Sequence, residues 1–438
     1  MLTSIVYAKK PPELGELIME KITAIKGIKD ILPEDTPTWH HVESIARQVF
    51  GTFGFREIRV PIMEKTELFK RSIGETTDIV EKEMYTFRDR DEELLTLRPE
   101  ATASVIRAYI EHNMMAADPI TKLFTLGPMF RRERPQKGRF RQFHQIDVEL
   151  FGDDKPQSDA EVIFMLVHFL EEVGIEELSL EINSLGCKAC RPVFSQAIVD
   201  FLKGSEKDLC PDCQRRMHTN PLRVFDCKVE SCISIIAGAP KILDYLCTQC
   251  AEHFAEVKSY LNDLKVSYLI NPNMVRGLDY YTKTAFEIKS GSLGAQNSLA
   301  GGGRYDGLVS FLGGPEVPGI GFGVGFERLI ACMPKAENDK YQTDIFIAAM
   351  GPRAQKISFG LTNELRRSGI SAAIDYSDKS LKSQMKRADK LNSSYTLIFG
   401  DKEIDEGRVE LRDMKTKNQQ ALSLDNLQEA IINIFKER

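Results

Sequence analysis

The sequence predicts an α+β protein whose first part combines antiparallel strands with helices and whose last part is a small α/β domain. Residues 123–131 and 143–151 alternate apolar and polar side chains, which indicates two antiparallel strands joined by a long loop. Between Cys187 and Cys250 the composition changes, because eight of the nine cysteines fall there. From Thr343 onward strand and helix patterns alternate, which is typical of an α/β domain with a mostly parallel sheet.

Composition limits the class of protein. The 438 residues are 42% hydrophobic and 28% charged, which suits two or three domains that each bury a core. The formal net charge of -6 means that a nucleic-acid partner would be held by local basic patches. No apolar run reaches the roughly 18 residues of a membrane span, and the N-terminus lacks a secretory pattern. We therefore expect a cytoplasmic protein that does not enter a membrane.

Element signals precede and follow the two long strands. Helical spacing predicts helices over residues 37–53 and 156–173, and alternation predicts a strand over 55–61. Further strands are expected over 84–88, 94–97, 178–183 and 266–270. Pro99 and Glu100 open a further helix. Two interpretations of Glu100 are open: it is a capping charge at a helix start, or it accepts a substrate ammonium group in a pocket shared with the Thr102 hydroxyl.

The stretch from Arg131 to Glu149 carries the densest chemistry. Basic residues crowd the loop between the two strands, and they are either a solvated surface or a set of cations aimed at one face. On the second strand Gln145, Asp147 and Glu149 recur with a period of two. Such a polar stripe on a core strand indicates a pocket or a solvated face of the sheet.

The cysteines fall into four close pairs in a chain without an export signal, so disulfides are not expected. Thiolates at such spacings can reach a tetrahedral zinc ion, and four pairs would supply two structural sites. Free thiols in a helical insertion are the alternative. The residues concerned are Cys187, Cys190, Cys210, Cys213, Cys227, Cys232, Cys247 and Cys250.

Two later stretches carry candidate ligand-binding residues. In the segment of residues 275–288, Arg276 is followed by a glycine and then by Tyr280 and Tyr281, so it is either a loop charge or a clamp on a carboxylate or phosphate. In residues 319–325 glycine occupies every second position, which permits close approach of a flat ring such as adenine. Arg328 begins the next helix, where it could meet a phosphate.

The C-terminal segment is the basic part of the chain. From Thr343 on, 16 Lys and Arg against 14 Asp and Glu give a net charge of +2, so the rest carries -8. Four lysines at helical spacing share a face: Lys379, Lys382, Lys386 and Lys390. This face is either simply solvated or in contact with an RNA backbone.

Several long motifs in order resemble one family. The stretches LRPEAT, GPMFRRERPQKGRFRQFHQIDVE, VRGLDYYT, GGGRYDGL and GIGFGVGFERL are similar to those of histidyl-tRNA synthetases of the bacterial type, which are class II aminoacyl-tRNA synthetases. The resemblance covers nearly the whole chain from Thr23 on. It departs at Ala101, where the family usually has glycine.

The resemblance implies a fold and a division of the chain. The expected catalytic domain is an antiparallel six-stranded sheet with flanking helices. Residues 23–186 and 265–335 would form it, residues 187–264 would be the cysteine-rich insertion, and 341–438 the anticodon-binding domain. Residues 1–22 would be an N-terminal extension. The helix and strand that end at Pro61 resemble the dimer-forming motif, which implies a homodimer.

The resemblance also implies activity and residue roles. The chain would activate L-histidine with ATP and Mg²⁺, release pyrophosphate, and transfer histidine to its tRNA. Arg131 and Arg276 would be catalytic. Histidine would be bound by Glu100, Ala101, Thr102, Arg131, Gln145, Glu149, Arg276, Tyr280 and Tyr281, and ATP by Arg131, Arg139 and Arg328. The alternative is a non-catalytic regulatory subunit of ATP phosphoribosyltransferase, which generally lacks the Arg276 signature and the anticodon-binding domain.

Overall fold

The structure is a computed structural model that describes residues 21–74, 77, 79–135, 138–275, 280–291, 293, 297–334, 342–377 and 379–436. Two compact units are formed by the described parts of the chain. One comprises the described residues of 1–30 and 41–334, and the other those of 31–40 and 335–438.

Helices and strands alternate irregularly up to the insertion. In order they are α1 (Thr36–Thr52), β1 (Arg56–Glu57), β2 (Met63–Lys65), α2 (Thr66–Ile73), β3 (Tyr85–Arg88), β4 (Leu94–Leu97), α3 (Thr102–Glu111), α4 (Met114–Ala117), β5 (Thr121–Phe130), β6 (Gln142–Phe151), α5 (Pro156–Glu172) and β7 (Leu178–Ser184). After the insertion come β8 (Leu269–Ile270), β9 (Thr282–Ser290), β10 (Ser298–Arg304), α10 (Leu308–Phe311), β11 (Gly319–Gly325) and α11 (Phe326–Cys332).

The main sheet has the strand order β1-β5-β6-β11-β10-β9-β7-β8. Its six central strands, β5 to β7 in that order, pair antiparallel, and the two-residue strands β1 and β8 add parallel edges. These edge strands are shorter than the predicted strands over 55–61 and 266–270. At the first edge Arg56 and Glu57 pair with β5, and Ile58 N still donates to Phe124 O at 2.8 Å. The chain then reaches Pro61, which has no N–H to donate. A smaller sheet has the order β2-β4-β3.

The alternation along β6 positions one face toward the core and the other toward a pocket. Ile146, Val148 and Leu150 are at most 1% exposed within the hydrophobic core. The polar residues between them therefore share the opposite face of the sheet, because successive side chains of a strand point to opposite sides.

The cysteine-rich insertion is helical, as expected. It consists of α6 (Cys190–Leu202), α7 (Pro211–Thr219), α8 (Glu230–Ile236) and α9 (Thr248–Asp263), joined by short 3₁₀ turns. A core of its own includes Phe194, Val224 and Met217 together with several cysteines. The long helix α9 leaves this core and packs along α5.

The C-terminal unit contains β12 (Ile345–Met350), α12 (Pro352–Arg367), β13 (Ala372–Ile374), α13 (Leu381–Lys390), β14 (Tyr395–Gly400), α14 (Asp401–Asp405), β15 (Arg408–Asp413), β16 (Gln419–Ser423) and α15 (Leu427–Lys436). Its sheet has the order β13-β12-β14-β15-β16. The first three strands are parallel, but β15 and β16 continue the sheet antiparallel. The prediction of a mostly parallel sheet is therefore only half right, because a short connection returns each of the last two strands beside its predecessor.

Within the part of the chain that the structure describes, no helix combines the length and apolar character needed to cross a bilayer.

Candidate active site

A pocket of about 250 Å³ lies on the polar face of the main sheet. Strands β6, β10 and β11 supply its floor, and the start of α3 and the loop before β9 supply its walls. Nine of the residues predicted from the sequence line it: Glu100, Thr102, Arg131, Arg139, Gln145, Glu149, Tyr280, Tyr281 and Arg328. Residues that are far apart in the chain therefore meet at one place.

Glu149 is fixed from two sides at one end of the pocket. The Thr102 hydroxyl donates a hydrogen bond to its Oε1 at 2.6 Å, and the Tyr305 hydroxyl donates to its Oε2. Glu149 is 1% exposed, and burial raises the pKa of its carboxyl group well above the ordinary value. A carboxylate held this rigidly in a buried site can accept an N–H from a ligand with defined geometry.

Three polar atoms beside Glu149 have no hydrogen-bond partner among the described residues: Glu100 Oε2, Gln145 Oε1 and Asp147 Oδ2. The other oxygen of Glu100 accepts the N–H of Ala103, in the first turn of α3, at 3.1 Å. Burial raises the pKa of Glu100, and burial followed by the nearby Glu100 charge raises the pKa of Asp147 to about 8. Because buried polar atoms are nearly always paired, three acceptors without partners indicate the place of a ligand that donates hydrogen bonds.

Aromatic rings close this end of the pocket. Tyr280 and Tyr281 have ring centroids 4.7 Å apart, and the Tyr280 ring meets that of Tyr305 edge to face at 5.8 Å. Tyr281 is 7% exposed. A planar ligand such as an imidazole would be held between rings on one side and carboxylates on the other.

Three arginines make a second part of the pocket lining cationic. Arg328 donates hydrogen bonds from Nε to Gly138 O at 3.1 Å and from Nη1 to Ser298 O at 2.7 Å. Arg131 donates to Pro99 O at 2.9 Å, and Arg139 forms an ion pair with Glu133 at 2.9 Å. Burial lowers the pKa of Arg328, and the charges of Arg139 and Arg131 lower it further. Mutually repelling guanidinium groups held by backbone carbonyls form a site suited to a polyanion.

The alternating glycines of β11 make room for these side chains. A Cβ at Gly321 would collide with the Glu149 carboxylate and the backbone of Val148, and one at Gly323 would lie 2.8 Å from Asp147 Oδ1. The sequence-based explanation was close approach of a ligand ring. The space is in part taken by the polar side chains of the neighbouring strand β6 instead.

Two predicted residues are not among the described residues that line the pocket. Arg276 lies in residues 276–279, outside the described residues. Ala101 is fully buried at the start of α3, between two residues that do line the pocket. Asp147 and Tyr305 also line the pocket, although neither of them is assigned a role from the sequence. Each had a signal: Asp147 belongs to the period-two stripe, and Tyr305 belongs to the GGGRYDGL motif.

The eight cysteines of the insertion gather into two groups of four. Cys187, Cys190, Cys247 and Cys250 form one, and Cys210, Cys213, Cys227 and Cys232 form the other. Within each group the Sγ atoms all lie within 4.8 Å of one another, and all eight are free thiols. The donor set of each group is therefore four sulfur atoms.

Comparison with known proteins places these features in a family. The model of the histidyl-tRNA synthetase family matches residues 27–190 and 232–329, and a model described as an anticodon binding domain matches 344–434. The histidine–tRNA ligase of Desulfosudis oleivorans is 54% identical over 416 residues, covering 94% of this chain and 98% of the relative. That of Geobacter metallireducens is 54% identical over 404 residues, covering 92% and 98%.

A solved structure agrees with the sequence relatives. The apo histidyl-tRNA synthetase of S. aureus superposes with a TM-score of 0.80 at 38% identity, covering 94% of this chain and 100% of that one. The expected class II catalytic fold, with a C-terminal α/β domain, is thereby confirmed. The chain belongs to the histidyl-tRNA synthetase family.

Proposed function

We propose that the pocket binds histidine at its carboxylate end and ATP at its arginine end, so that the two reacting groups meet between them. The chain is a ligase that activates L-histidine with ATP and joins it to histidine tRNA, as its curated relatives do. The regulatory-subunit alternative is not favoured, because relatives that match nearly the full chain at 54% identity are ligases. One observation carries the proposal: the same pocket contains Glu149, held by two hydrogen bonds, three buried acceptors without partners among the described residues, and three arginines.

Histidine has two donor groups, an ammonium group and an imidazole N–H, and the carboxylate end has acceptors for both. Its ammonium group would be bound by Glu100 Oε2 and Gln145 Oε1, with the Asp147 carboxyl beside them. Its imidazole N–H would donate to Glu149, next to the Tyr281 ring. An apolar side chain of similar size would bury Glu149 without the N–H donor that the imidazole supplies, and this penalty gives selectivity for histidine.

ATP would place its phosphates among the arginines. Arg131 would meet the α-phosphate and Arg328 the γ-phosphate, while Arg139 would exchange its ion pair with Glu133 for a phosphate oxygen. Arg276, outside the described residues, is proposed as a second cation at the α-phosphate. Synthetases of this kind use ATP with Mg²⁺, which neutralises phosphate charge when bound. Glu133 and Glu327 line this end of the pocket and offer the carboxylate oxygens that Mg²⁺ prefers.

The reaction requires positioning and charge stabilisation rather than a protein nucleophile. A carboxylate oxygen of histidine attacks the α-phosphorus, the bond to the bridging oxygen breaks, and pyrophosphate leaves with its electron pair. Negative charge grows on the oxygens of the α-phosphorus, where fixed guanidinium groups stabilise it without reorganising. The same site then holds histidyl-adenylate while the terminal ribose hydroxyl of the tRNA displaces AMP.

Two substitutions test the division of the pocket. Replacing Tyr305 by Phe removes the hydroxyl that fixes Glu149, and a hydrogen bond to a charged group contributes about 1.5–3 kcal/mol. Histidine-dependent ATP–pyrophosphate exchange should then show a KM for histidine raised about 10- to 100-fold, with the KM for ATP nearly unchanged. Arg328→Ala should raise the KM for ATP and leave the KM for histidine nearly unchanged. A variant that raises both KM values equally would contradict the assignment of the two ends.

Structural zinc is proposed for both cysteine groups. Four sulfurs at about 2.3 Å from a tetrahedral zinc ion lie about 3.8 Å from one another. Sγ of Cys187 lies 3.7 Å from that of Cys190 and 3.9 Å from that of Cys247, and the Cys210–Cys227 separation is 3.8 Å. Disulfide sulfurs would be about 2.05 Å apart. Metal analysis should find two zinc ions per chain, and less than one would refute the proposal.

The remaining assignments concern partners and location. Residues 341–438 are proposed as the domain that recognises the anticodon arm of the tRNA, and the match over 344–434 supports this. A homodimer formed through α1 and the segment after it is proposed, where Ile62 and Met63 are each 45% exposed. A cytoplasmic location is proposed because eight thiol ligands require a reducing compartment. Light scattering of the purified chain tests the dimer.

A further inference from the structure

We infer that the first cysteine group is a zinc clasp that positions the histidine pocket, whereas the second group only stabilises the insertion. The clasp consists of Cys187 and Cys190, where the chain enters the insertion, and Cys247 and Cys250, where it begins to return through α9. The inference rests on the zinc binding proposed above. A single metal ion there joins the two ends of the insertion at the edge of the catalytic sheet.

The entering end of the clasp is bonded to the strand that follows Tyr281. Gly186, directly before Cys187, accepts hydrogen bonds at its carbonyl from Lys283 N and from Thr282 Oγ1, both at 2.9 Å. Leu185 N in turn donates to Lys283 O at 2.7 Å. A shift of the clasp would therefore move the first residues of β9, and Tyr281 immediately precedes them.

The returning end of the clasp reaches the pocket through α9. This helix begins at Thr248, directly after Cys247, and its His253 lies 2.8 Å from Asp159 Oδ2 on α5. The other oxygen of Asp159 accepts a hydrogen bond from Arg304 Nε at 2.8 Å, and Arg304 and Asp159 are both fully buried. Arg304 precedes Tyr305, whose hydroxyl holds Glu149.

The second group has neither connection among the described residues. Its cysteines lie on α7, α8 and the turns beside them, within the insertion's own core. The two groups are nevertheless alike in local geometry. The N–H of Cys247 donates to Cys190 Sγ at 3.1 Å, and the N–H of Cys210 donates to Cys232 Sγ at 3.2 Å. Cys190 and Cys232 are both buried, so they form a matched pair for substitution.

The experiment compares Cys190→Ser with Cys232→Ser in the full chain. Each variant should retain about one zinc ion, because a site that loses one of four thiolates binds zinc far more weakly. In histidine-dependent ATP–pyrophosphate exchange, Cys190→Ser should raise the KM for histidine about tenfold, while the KM for ATP stays within twofold. Cys232→Ser should leave both KM values within twofold of the parent. Circular dichroism and thermal unfolding establish that both variants are folded.

A second measurement uses only the Cys232→Ser variant, in which the clasp alone carries metal. Removing that ion with a chelator should raise the KM for histidine about tenfold, and adding zinc back should restore it. Cobalt in the same variant should give the visible absorption of tetrahedral thiolate coordination. If zinc is present but its removal leaves the KM for histidine unchanged, the clasp inference fails and zinc binding stands. If the parent chain contains no zinc, the zinc proposal itself fails.

Discussion

Three buried carboxyl groups face one pocket, and their ionisation is the main feature of the site at the scale of single residues. Glu100, Asp147 and Glu149 all have pKa values raised, with burial the largest cause in each case. Burial disfavours the charged form, and each neighbouring carboxylate disfavours it further. In the ligand-free pocket the protonated form of each group is therefore more favoured than it is in water. An ammonium ion placed among them favours the charged form and draws protons off.

Histidine binding should accordingly release protons. With a pKa of about 8, Asp147 is mostly protonated at pH 7.5 in the free site, and the ligand's ammonium group lowers that pKa. Histidine affinity should rise with pH toward about 8. Calorimetry at pH 7.5 in two buffers of different ionisation enthalpy measures the protons released per histidine bound.

The matched variant for this measurement is Asp147→Asn, which should release fewer protons than the parent. The stability of the free protein should change with pH in the opposite direction to histidine affinity. A carboxyl group with a raised folded-state pKa binds a proton that the unfolded chain gives up, so stability falls as pH rises from about 4 to 8. Equal proton release by parent and variant would show that Asp147 does not titrate on binding.

At the scale of elements, the site depends on β6 and β11 lying side by side. Gly321 pairs directly with Glu149, and Gly323 with Asp147. A side chain on β11 at either position would occupy the space of the polar side chains on β6. Glycine at these positions weakens β11 locally, but it leaves the space that the polar side chains of β6 occupy.

Gly321→Ala should damage both stability and histidine binding. The added methyl group meets the Glu149 carboxylate and a backbone carbonyl that cannot move aside, and overpacking of this kind costs about 1–3 kcal/mol. Denaturant unfolding and the KM for histidine measure the two effects. The control is Gly360→Ala within α12, where a Cβ meets nothing within 4 Å and alanine favours the helix. Parent-like behaviour of Gly321→Ala would contradict the packing argument.

Element signals in the sequence were reliable where a period repeated and unreliable at edges. The glycine strand over 319–325 has the bounds expected, because its alternation continues along the whole length. The strand over 94–97 also has the bounds expected. The edge strand expected over 55–61 pairs at only two residues, because pairing depends on how far its neighbour extends. Tyr305 was missed for a similar reason. Its hydroxyl contacts Glu149 only because the fold places the residue that follows β10 near β6, with β11 between the two strands.

The sequence also could not predict which cysteine pairs combine into which group of four. The spacing identified four pairs, but which pairs combine depends on the path of the helices. Cys187 joins a cysteine 60 residues away because the insertion returns to its starting point. The spacing within a pair depends only on the local turn, whereas the combination of two pairs into one group depends on the topology of the whole fold.

At the scale of the whole molecule, the pocket residues belong to the first unit, and the basic segment from Thr343 on belongs to the second. The four-lysine face expected from the sequence lies on or beside α13, where Lys382, Lys386 and Lys390 are exposed. Lys379 differs, since its ammonium lies 3.5 Å from Asp375. In a chain of net charge -6, three exposed lysines on one helix are a candidate contact for a phosphate backbone.

Replacing Lys382, Lys386 and Lys390 together by Ala should raise the KM for tRNA in histidine charging. Each lost phosphate contact should also lower the salt dependence of tRNA binding by about one unit of the logarithmic slope. Pyrophosphate exchange, which needs no tRNA, should be unchanged. Removing the exposed Lys356, Lys402 and Lys415 from other parts of the same unit is the charge-matched control. If the two triple variants had equal effects, the lysines of α13 would contribute only through the overall charge of the unit and would not be a specific tRNA contact.

The central claim is that one pocket selects histidine through Glu149 and activates it at a cluster of arginines. The most direct measurement is ATP–pyrophosphate exchange by the unaltered chain with each of the twenty amino acids in turn. Exchange with histidine should exceed exchange with any other amino acid by a factor on the order of 10⁴, because only an imidazole satisfies the buried carboxylate. Comparable exchange with another amino acid, or none with histidine, would contradict the account.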